Sequence, residues 1–290
     1  MIDKIKEEAL LHGDRLSFIA FSRLPEVKKT FDKLGIKPLP FFNFAPEPET
    51  GWTPQSVVVA ASPSRRYSVS FDADGREFKA IIPASYADDE KKNSEIENYL
   101  KELLEKEGYH VRQGKGLPYK ALAAHTGLGL YGRNNLIYIE GFGSFLNLNV
   151  FFTDLCTDDE PFVPFQILDT CAGCNLCVKN CPSGALKEER FSVEAPRCLT
   201  RVNEDEEPFP DWVDPSWHNA LIGCERCQLA CPHNRGLLEP VEEIARYNRE
   251  ETEAYLRDEL PPEAIEPLGI SYYCKSLGRN LKALLGEFIV

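Results

Sequence analysis

Nine of the ten cysteines of this 290-residue chain fall between Cys156 and Cys231, and none precedes Cys156. That clustering constrains the chain more than any other feature, because thiols at this density either crosslink or bind metal. Crosslinking needs an oxidising compartment, usually reached through a secretory signal. The opening residues, Met1 to Glu8, contain no apolar h-region. Apolar runs such as Val57 to Ala61 fall far short of the ~20 residues of a membrane span. The expectation is a cytoplasmic protein with reduced thiols, whose clustered cysteines bind metal. Residues 156–235 are also rich in proline and poor in periodicity, so this stretch is organised by whatever the cysteines hold.

The spacing says what that is. The first run reads Cys171-x2-Cys174-x2-Cys177-x3-Cys181-Pro182, and the second Cys224-x2-Cys227-x3-Cys231-Pro232, with Cys198 between them. The first is the spacing of two-cluster ferredoxins. Three thiolates of a tight loop cap three corners of a [4Fe–4S] cubane, and the fourth, before proline, ligates the other cluster. Small residues such as Ala172 and Gly173 let backbone amides approach the sulfurs. Two clusters need eight thiolates, and the two runs with Cys198 supply eight. Crossover ligation assigns Cys171, Cys174, Cys177 and Cys231 to one cluster, and Cys181, Cys198, Cys224 and Cys227 to the other. The alternative is a pair of zinc sites, since Cys-x-x-Cys pairs also suit tetrahedral zinc. The triple spacing and the two Cys-Pro endings favour iron–sulfur. Cys156 and Cys274 are surplus and are expected to be small buried hydrophobes.

Before the cysteines the pattern alternates. Residues 1 to 12 and Leu24 to Leu34 have helical spacing, Leu16 to Phe21 and Ser56 to Ala61 read as strands, and Pro38 to Pro54 is a Pro- and Phe-rich loop. Residues 67 to 82 suit a hairpin around Asp74-Gly75, and Ser94 to Gly108 a helix closed by the glycine. The chain therefore divides into an α/β domain over 1–155, a cysteine module over 156–240 and a helical tail over 241–290, with helices around Val241 to Leu256 and Leu277 to Leu285. The net charge of −13, from 46 acidic and 33 basic side chains, opposes a broad footprint for nucleic acid or anionic membrane and leaves room for a local patch.

Gly127-Leu128-Gly129-Leu130-Tyr131-Gly132 matches the dinucleotide pattern G-x-G-x-x-G, but a helix (Leu117 to Thr126) precedes it and a strand (Asn135 to Ile139) follows. That order is the reverse of what nucleotide binding requires. Gly108 to Lys115 likewise fails as a phosphate loop, one residue too long and followed by Gly116. The glycines serve either as a helix stop at Gly127 with a tight turn, or for close approach to a large flat cofactor. Gly141-Phe142-Gly143-Ser144-Phe145 makes a second glycine-rich turn beyond the strand.

Thr126-Gly-Leu-Gly-Leu-Tyr-Gly-Arg-Asn134 resembles the A-G-L-G-W-x-G-K-N segment of epoxyqueuosine reductases. Gly143-Ser144-Phe145, the eight cysteines and the Gly223 to Asn234 segment match that family in the same order. The resemblance implies an α+β fold: a degenerate nitroreductase-like α/β domain that holds cobalamin, a two-cluster ferredoxin-like module and a short helical tail. It implies that Gly127, Gly129, Gly132, Arg133, Asn134, Gly143, Ser144 and Phe145 approach the cofactor. It further implies an iron–sulfur reductase that takes electrons from a flavodoxin- or ferredoxin-type donor through two [4Fe–4S] clusters to cobalamin. Its substrate would be a small molecule or modified nucleoside, with tRNA possible but disfavoured by charge.

One departure shifts that expectation. The family's catalytic Asp, fourteen positions before the first glycine of the motif, is Gln113 here, and no Asp or Glu occurs between Glu107 and Glu140. Replacement proton donors in reach are Tyr119, Lys120, His125 and Tyr131, each with an ordinary structural role as the alternative: packing for the tyrosines, solvation for Lys120 and a helix-terminal charge for His125. The alternatives to a reductase are a ferredoxin-type electron carrier without catalysis and a protein that reduces or handles corrinoids for a partner.

Overall fold

The computed structural model describes residues 1–46, 51–87, 89–157, 160–189, 191–237 and 241–286. The chain opens with α1 (Ile2–Leu11), β1 (Arg15–Ala20), α2 (Leu24–Lys33) and β2 (Ser56–Pro63). The hairpin β3 (Tyr67–Ala73) and β4 (Arg76–Ile82) follows, then α3 (Asp89–Leu104) and β5 (Val111–Gln113). Next come α4 (Tyr119–His125), two short strands β6 (Leu130–Tyr131) and β7 (Ile137–Tyr138), and β8 (Leu146–Thr153). The cysteine region holds α5 (Leu176–Lys179), α6 (Leu199–Glu204) and α7 (Arg226–Leu229). The chain then runs through β9 (Glu242–Tyr247), α8 (Arg249–Leu256), α9 (Pro262–Ile265) and α10 (Cys274–Leu285).

Two compact units result: Met1–Pro63 with Asp89–Ala172, and Ser64–Asp88 with Gly173–Val290. The first is built on an antiparallel sheet of order β1-β2-β8-β5. Ile5 and Ala9 of α1 and Ile96, Leu100 and Leu104 of α3 pack with Phe18, Val58, Val111 and Phe151 of the sheet. Successive strand residues point to opposite faces, so Ser17 looks away from that core, and its hydroxyl donates to Thr126 Oγ1 at 2.6 Å where α4 ends. Helix α3 stops at a turn closed by Gly108, whose left-handed backbone (φ 83°) a side chain would strain.

The second unit has the sheet order β4-β3-β9, with β9 parallel to β3. Val69, Phe71 and Ile82 of the hairpin share a core with Leu221 and Ile222 beside the second cysteine run and with Leu277, Leu281 and Leu285 of α10.

Two expectations change accordingly. The two compact units cut across the division at 155 and 240: hairpin and tail bury apolar surface in common with Leu221 and Ile222, while residues up to Ala172 stay with the first unit. The helix expected around Val241 to Leu256 is a strand followed by a helix. Residues 242–247 complete the edge of β3, and Asn248 then starts α8 with a reciprocal capping box, accepting from Glu251 N at 3.0 Å while Glu251 Oε2 accepts from Asn248 N at 2.8 Å. Among the described residues no helix is long and apolar enough to cross a membrane.

Candidate functional site

The helices that carry the two cysteine runs are single turns. Helix α5 bears Cys177 and α7 bears Cys227, and the two pack against each other. Cys198 and Cys231 both stand in extended backbone at the start of a helical turn, with φ, ψ of −73°, 125° and −80°, 126°. Proline fixes the turn after Cys231, its missing N–H costing nothing at a first helical position. All eight cysteines of the two runs and Cys198 are half-buried, and no disulfide joins any of the ten. Seven of the eight belong to the second unit, and Cys171 lies at the end of the first, one residue before its last.

Within the second unit, thiols distant in sequence lie near Cys224. Burial pushes the Cys224 thiol up to about 11, and the neighbouring Cys198 and Cys181 push it the same way. Those three belong to a single expected ligand set. A protonated thiol this buried is poorly solvated, and binding to a cationic iron core is what deprotonates it. Among the described residues no three His, Cys, Asp or Glu side chains are arranged to hold a single metal ion. The thiols are spread over the short helical turns of the two runs, the loops flanking them and the start of α6, a spread that suits a cluster several atoms wide. The donor set therefore fits [4Fe–4S] cores.

The scaffold behind these loops is polar and buried. Glu225, between Cys224 and Arg226, is 1% exposed and takes a bidentate pair from Arg66, Nε to Oε2 at 2.7 Å and Nη2 to Oε1 at 2.5 Å. Tyr86 donates to Glu204 Oε1 at 2.6 Å, and burial raises the pKa of both groups. Tyr86 also explains Gly223, since a Cβ there would collide with its hydroxyl. Asn203 Nδ2 donates to the Gly223 carbonyl at 2.7 Å, and Asn280 of α10 donates to the Asn203 and Leu221 carbonyls, both at 3.0 Å. Sequence reasoning missed these residues. Glu225 gave a local signal, a carboxylate inside a Cys-x-x-Cys; Arg66, far away in sequence, gave none.

In the first unit the glycine segment is a packing device. The αL backbone of Gly127 (φ 71°) ends α4 and lets Leu128 N–H reach the Ala123 carbonyl at 3.0 Å. A Cβ on Gly129 would stand 2.6 Å from Ile137 Cγ2 and 2.9 Å from the Tyr138 carbonyl oxygen, and one on Gly132 would strike the Tyr138 ring. The need for glycine at these two positions is thus met by the facing strand β7. Tyr131 pairs with Ile167, its carbonyl accepting from Leu168 N at 2.8 Å, and Arg133 Nη2 donates to the Cys171 carbonyl at 3.2 Å. The segment therefore seats the start of the first cysteine run. Asn134 is buried and donates to the Tyr138 hydroxyl at 2.9 Å. Gly143, Ser144 and Phe145 are buried in the turn that follows.

The proton-donor candidates separate. His125 is 2% exposed, with Nδ1 on the Val163 carbonyl at 2.8 Å and Nε2 on Thr30 Oγ1 at 2.9 Å. A carbonyl only accepts, so Nδ1 carries the proton and the ring is neutral, lowered in pKa by burial. The helix-terminal charge expected there is absent for that reason. Tyr131 is buried, which raises its pKa. Tyr119 is half-buried and donates to the Gly114 carbonyl at 3.0 Å; Lys120 is exposed, and its Nζ donates to the Asn135 carbonyl at 2.9 Å. Gln113 lies on β5 opposite Phe151. Cys156 and Cys274 are exposed rather than buried, one on the turn after β8 and the other at the solvent-facing start of α10.

Acid should loosen the fold through two histidines. His125 and His218 are both buried and neutral, His218 at about 4 through burial and then the charges of Arg279 and Arg226. The unfolded chain protonates first, near 6.5. Stability therefore falls as pH drops from about 6.5 toward 4, because the unfolded state binds more protons. Urea midpoints measured between pH 7 and 5 should show this slope, flattened in the His125→Gln, His218→Gln double variant; equal slopes would contradict it.

Paired thiol runs on adjoining helical turns mark a two-cluster iron–sulfur protein. Residues 170–234 match the family described as a 4Fe-4S double cluster binding domain. The chain is 34% identical to the epoxyqueuosine reductase of Listeria monocytogenes over 116 residues, 40% of this chain and 29% of that protein. It is 32% identical to that of Bacillus subtilis over 134 residues, 44% and 33%, so the matched stretch spans about a third of these relatives. The fold is shared with the Streptococcus thermophilus epoxyqueuosine reductase structure, at TM-score 0.67 and 17% identity, over 99% of this chain and 81% of that one. Over this stretch the chain is similar to epoxyqueuosine reductases, and its fold is theirs.

Proposed function

We propose that this chain is a two-cluster iron–sulfur reductase of a reducing, cytoplasmic compartment, drawing electrons from a small redox carrier and delivering them to a corrinoid. Cys171, Cys174, Cys177 and Cys231 hold one [4Fe–4S] cluster, and Cys181, Cys198, Cys224 and Cys227 the other. The observation that carries the reading is that Cys198 and Cys181, far from Cys224 and from each other in sequence, are its electrostatic neighbours.

The corrinoid part rests on the first unit. Gly129 and Gly132 are accounted for by β7 and ask for no cofactor. Asn134, Ser144 and Phe145 are buried on this segment and its following turn, and the amide and hydroxyl there suit an amide-rich ligand. When bound, a corrinoid supplies a low-potential metal centre for a two-electron reduction. Arg133 holds the first cysteine loop, and Tyr119 or Lys120 delivers the proton. One solved relative of this fold carries an epoxyqueuosine-modified tRNA-Tyr stem loop. With Gln113 where that family's carboxylate is expected, the substrate of this chain is a different reducible group.

Anaerobic reconstitution with iron, sulfide and cobalamin tests this. Retention of about one cobalamin per chain, with the EPR spectrum of base-off Co(II), is the expected result. Full iron loading without cobalamin retention would make the chain an electron carrier instead. Asn134→Ala should weaken cobalamin retention while leaving iron unchanged.

A further inference from the structure

We infer that the acid-free face formed by α5, α7 and the turn after Cys231 is the docking surface for a small acidic protein that carries single electrons. The inference rests on the reading of the cysteines as cluster ligands. The chain holds 46 Asp and Glu, yet none lies between Cys171 and Leu186 or between Arg226 and Leu237. These two stretches are brought together by the packing of α5 on α7. The turn Pro232–Asn234 is fastened to them by Asn234 Nδ2, which donates to the Gln228 carbonyl at 2.9 Å, and Leu237 N reaches the Asn234 carbonyl at 3.1 Å.

Three large apolar side chains of these segments are exposed: Leu176 at 39%, Leu229 at 38% and Leu237 at 37%. Lys179 and Arg235 are exposed beside them, and neither has an ion-pair partner among the described residues. Several other cations in the same unit are engaged: Arg249 with Asp74, Arg257 with Glu259, and Lys275 with Glu206. Apolar groups framed by unpaired cations suit a small, transient interface in which charge orients the partner and a few apolar contacts hold it.

Complementary charge selects an acidic occupant. The net charge of −13 repels such a carrier from most of the surface, so a local acid-free face decides where it lands. The exposed apolar groups are leucines, whereas single-stranded nucleic acid is held by aromatic stacking, which favours a protein. Cys174, Cys177, Cys181, Cys227 and Cys231 lie on the same segments, so the face overlies ligands of both clusters. At each encounter one electron leaves the carrier and reduces a [4Fe–4S] core from the 2+ to the 1+ state; no bond forms or breaks.

The test is stopped-flow reduction of the anaerobic holoprotein by flavodoxin hydroquinone as the acidic probe, with dithionite as the small reductant. Lys179→Glu with Arg235→Glu should slow reduction by flavodoxin about tenfold at low salt, within the spread of association rates among variants of one interface. The Gln pair should slow it less, and Leu176→Ser should do so without a change in salt dependence. Iron content and the dithionite-reduced EPR spectrum should stay unchanged. Equal flavodoxin rates in wild type and the Glu pair would overturn the docking surface. So would a Glu pair that lost binding to a tRNA stem loop but kept its flavodoxin rate. Failure of dithionite to reduce any cluster would strike the ligand reading instead.

Discussion

Replacing Cys198 by serine should lower the iron of the reconstituted protein from about eight to about four per chain and remove or shift one cluster's EPR signal. The residue has no neighbouring cysteine in sequence, and on that ground alone a structural thiol would be the simpler reading. Its surroundings say otherwise. Cys198 holds extended backbone at the first residue before α6 and is half-buried, and its charge reaches the Cys224 thiol together with that of Cys181. A cluster that loses one of four thiolates is held by three, and a serine oxygen is a harder, poorer partner for iron. Cys274→Ser is the control: this thiol is exposed at the start of α10, and its loss should leave iron and spectra as they were. Unchanged iron in Cys198→Ser would remove it from the ligand set.

Arg66→Met should be the most destabilising change outside the cysteines, by about 3–5 kcal/mol, because it strands a buried carboxylate. Glu225 and Arg66 have side chains only 2% and 13% exposed, and both guanidinium contacts are lost at once. Glu225 lies inside the Cys224–Cys227 loop, so the loss should show twice: as a lower urea midpoint and as faster release of iron. The Arg66→Met, Glu225→Met double variant should regain most of the stability, since a buried pair replaced by apolar groups of similar size is often neutral or better. A double variant as unstable as the single would place the effect in packing rather than charge.

These residues mark the boundary of what the sequence could tell. Local signals were legible. The apolar spacing of Ile96, Tyr99, Leu100, Leu103 and Leu104 marks α3, the Asp74-Gly75 turn marks the β3–β4 hairpin, and the cysteine spacing marks two clusters. Long-range choices were not. Nothing in residues 64–88 announces that they pack with α10 rather than with the strands before them, because apolar alternation says which face is buried and not against what. Residues 242–247 became a strand because β3 offered an open edge, a tertiary cause that local propensity cannot report. The glycine segment was legible as a demand for small residues, but the side chains that impose it, Ile137 and Tyr138, could be found only once β7 was seen folded against it. Cys156 and Cys274 misled for a related reason: cysteine is usually buried, and here other residues fill the cores nearby.

The central claim is that eight cysteines hold two four-iron clusters, and the most direct measurement is the iron and acid-labile sulfide content of anaerobically purified protein, read with its EPR spectrum after reduction. The account predicts about eight iron and eight sulfide per chain, with the signals of two reduced [4Fe–4S] clusters. Two tightly bound zinc ions per chain, without labile sulfide and without a reduced-state signal, would contradict it.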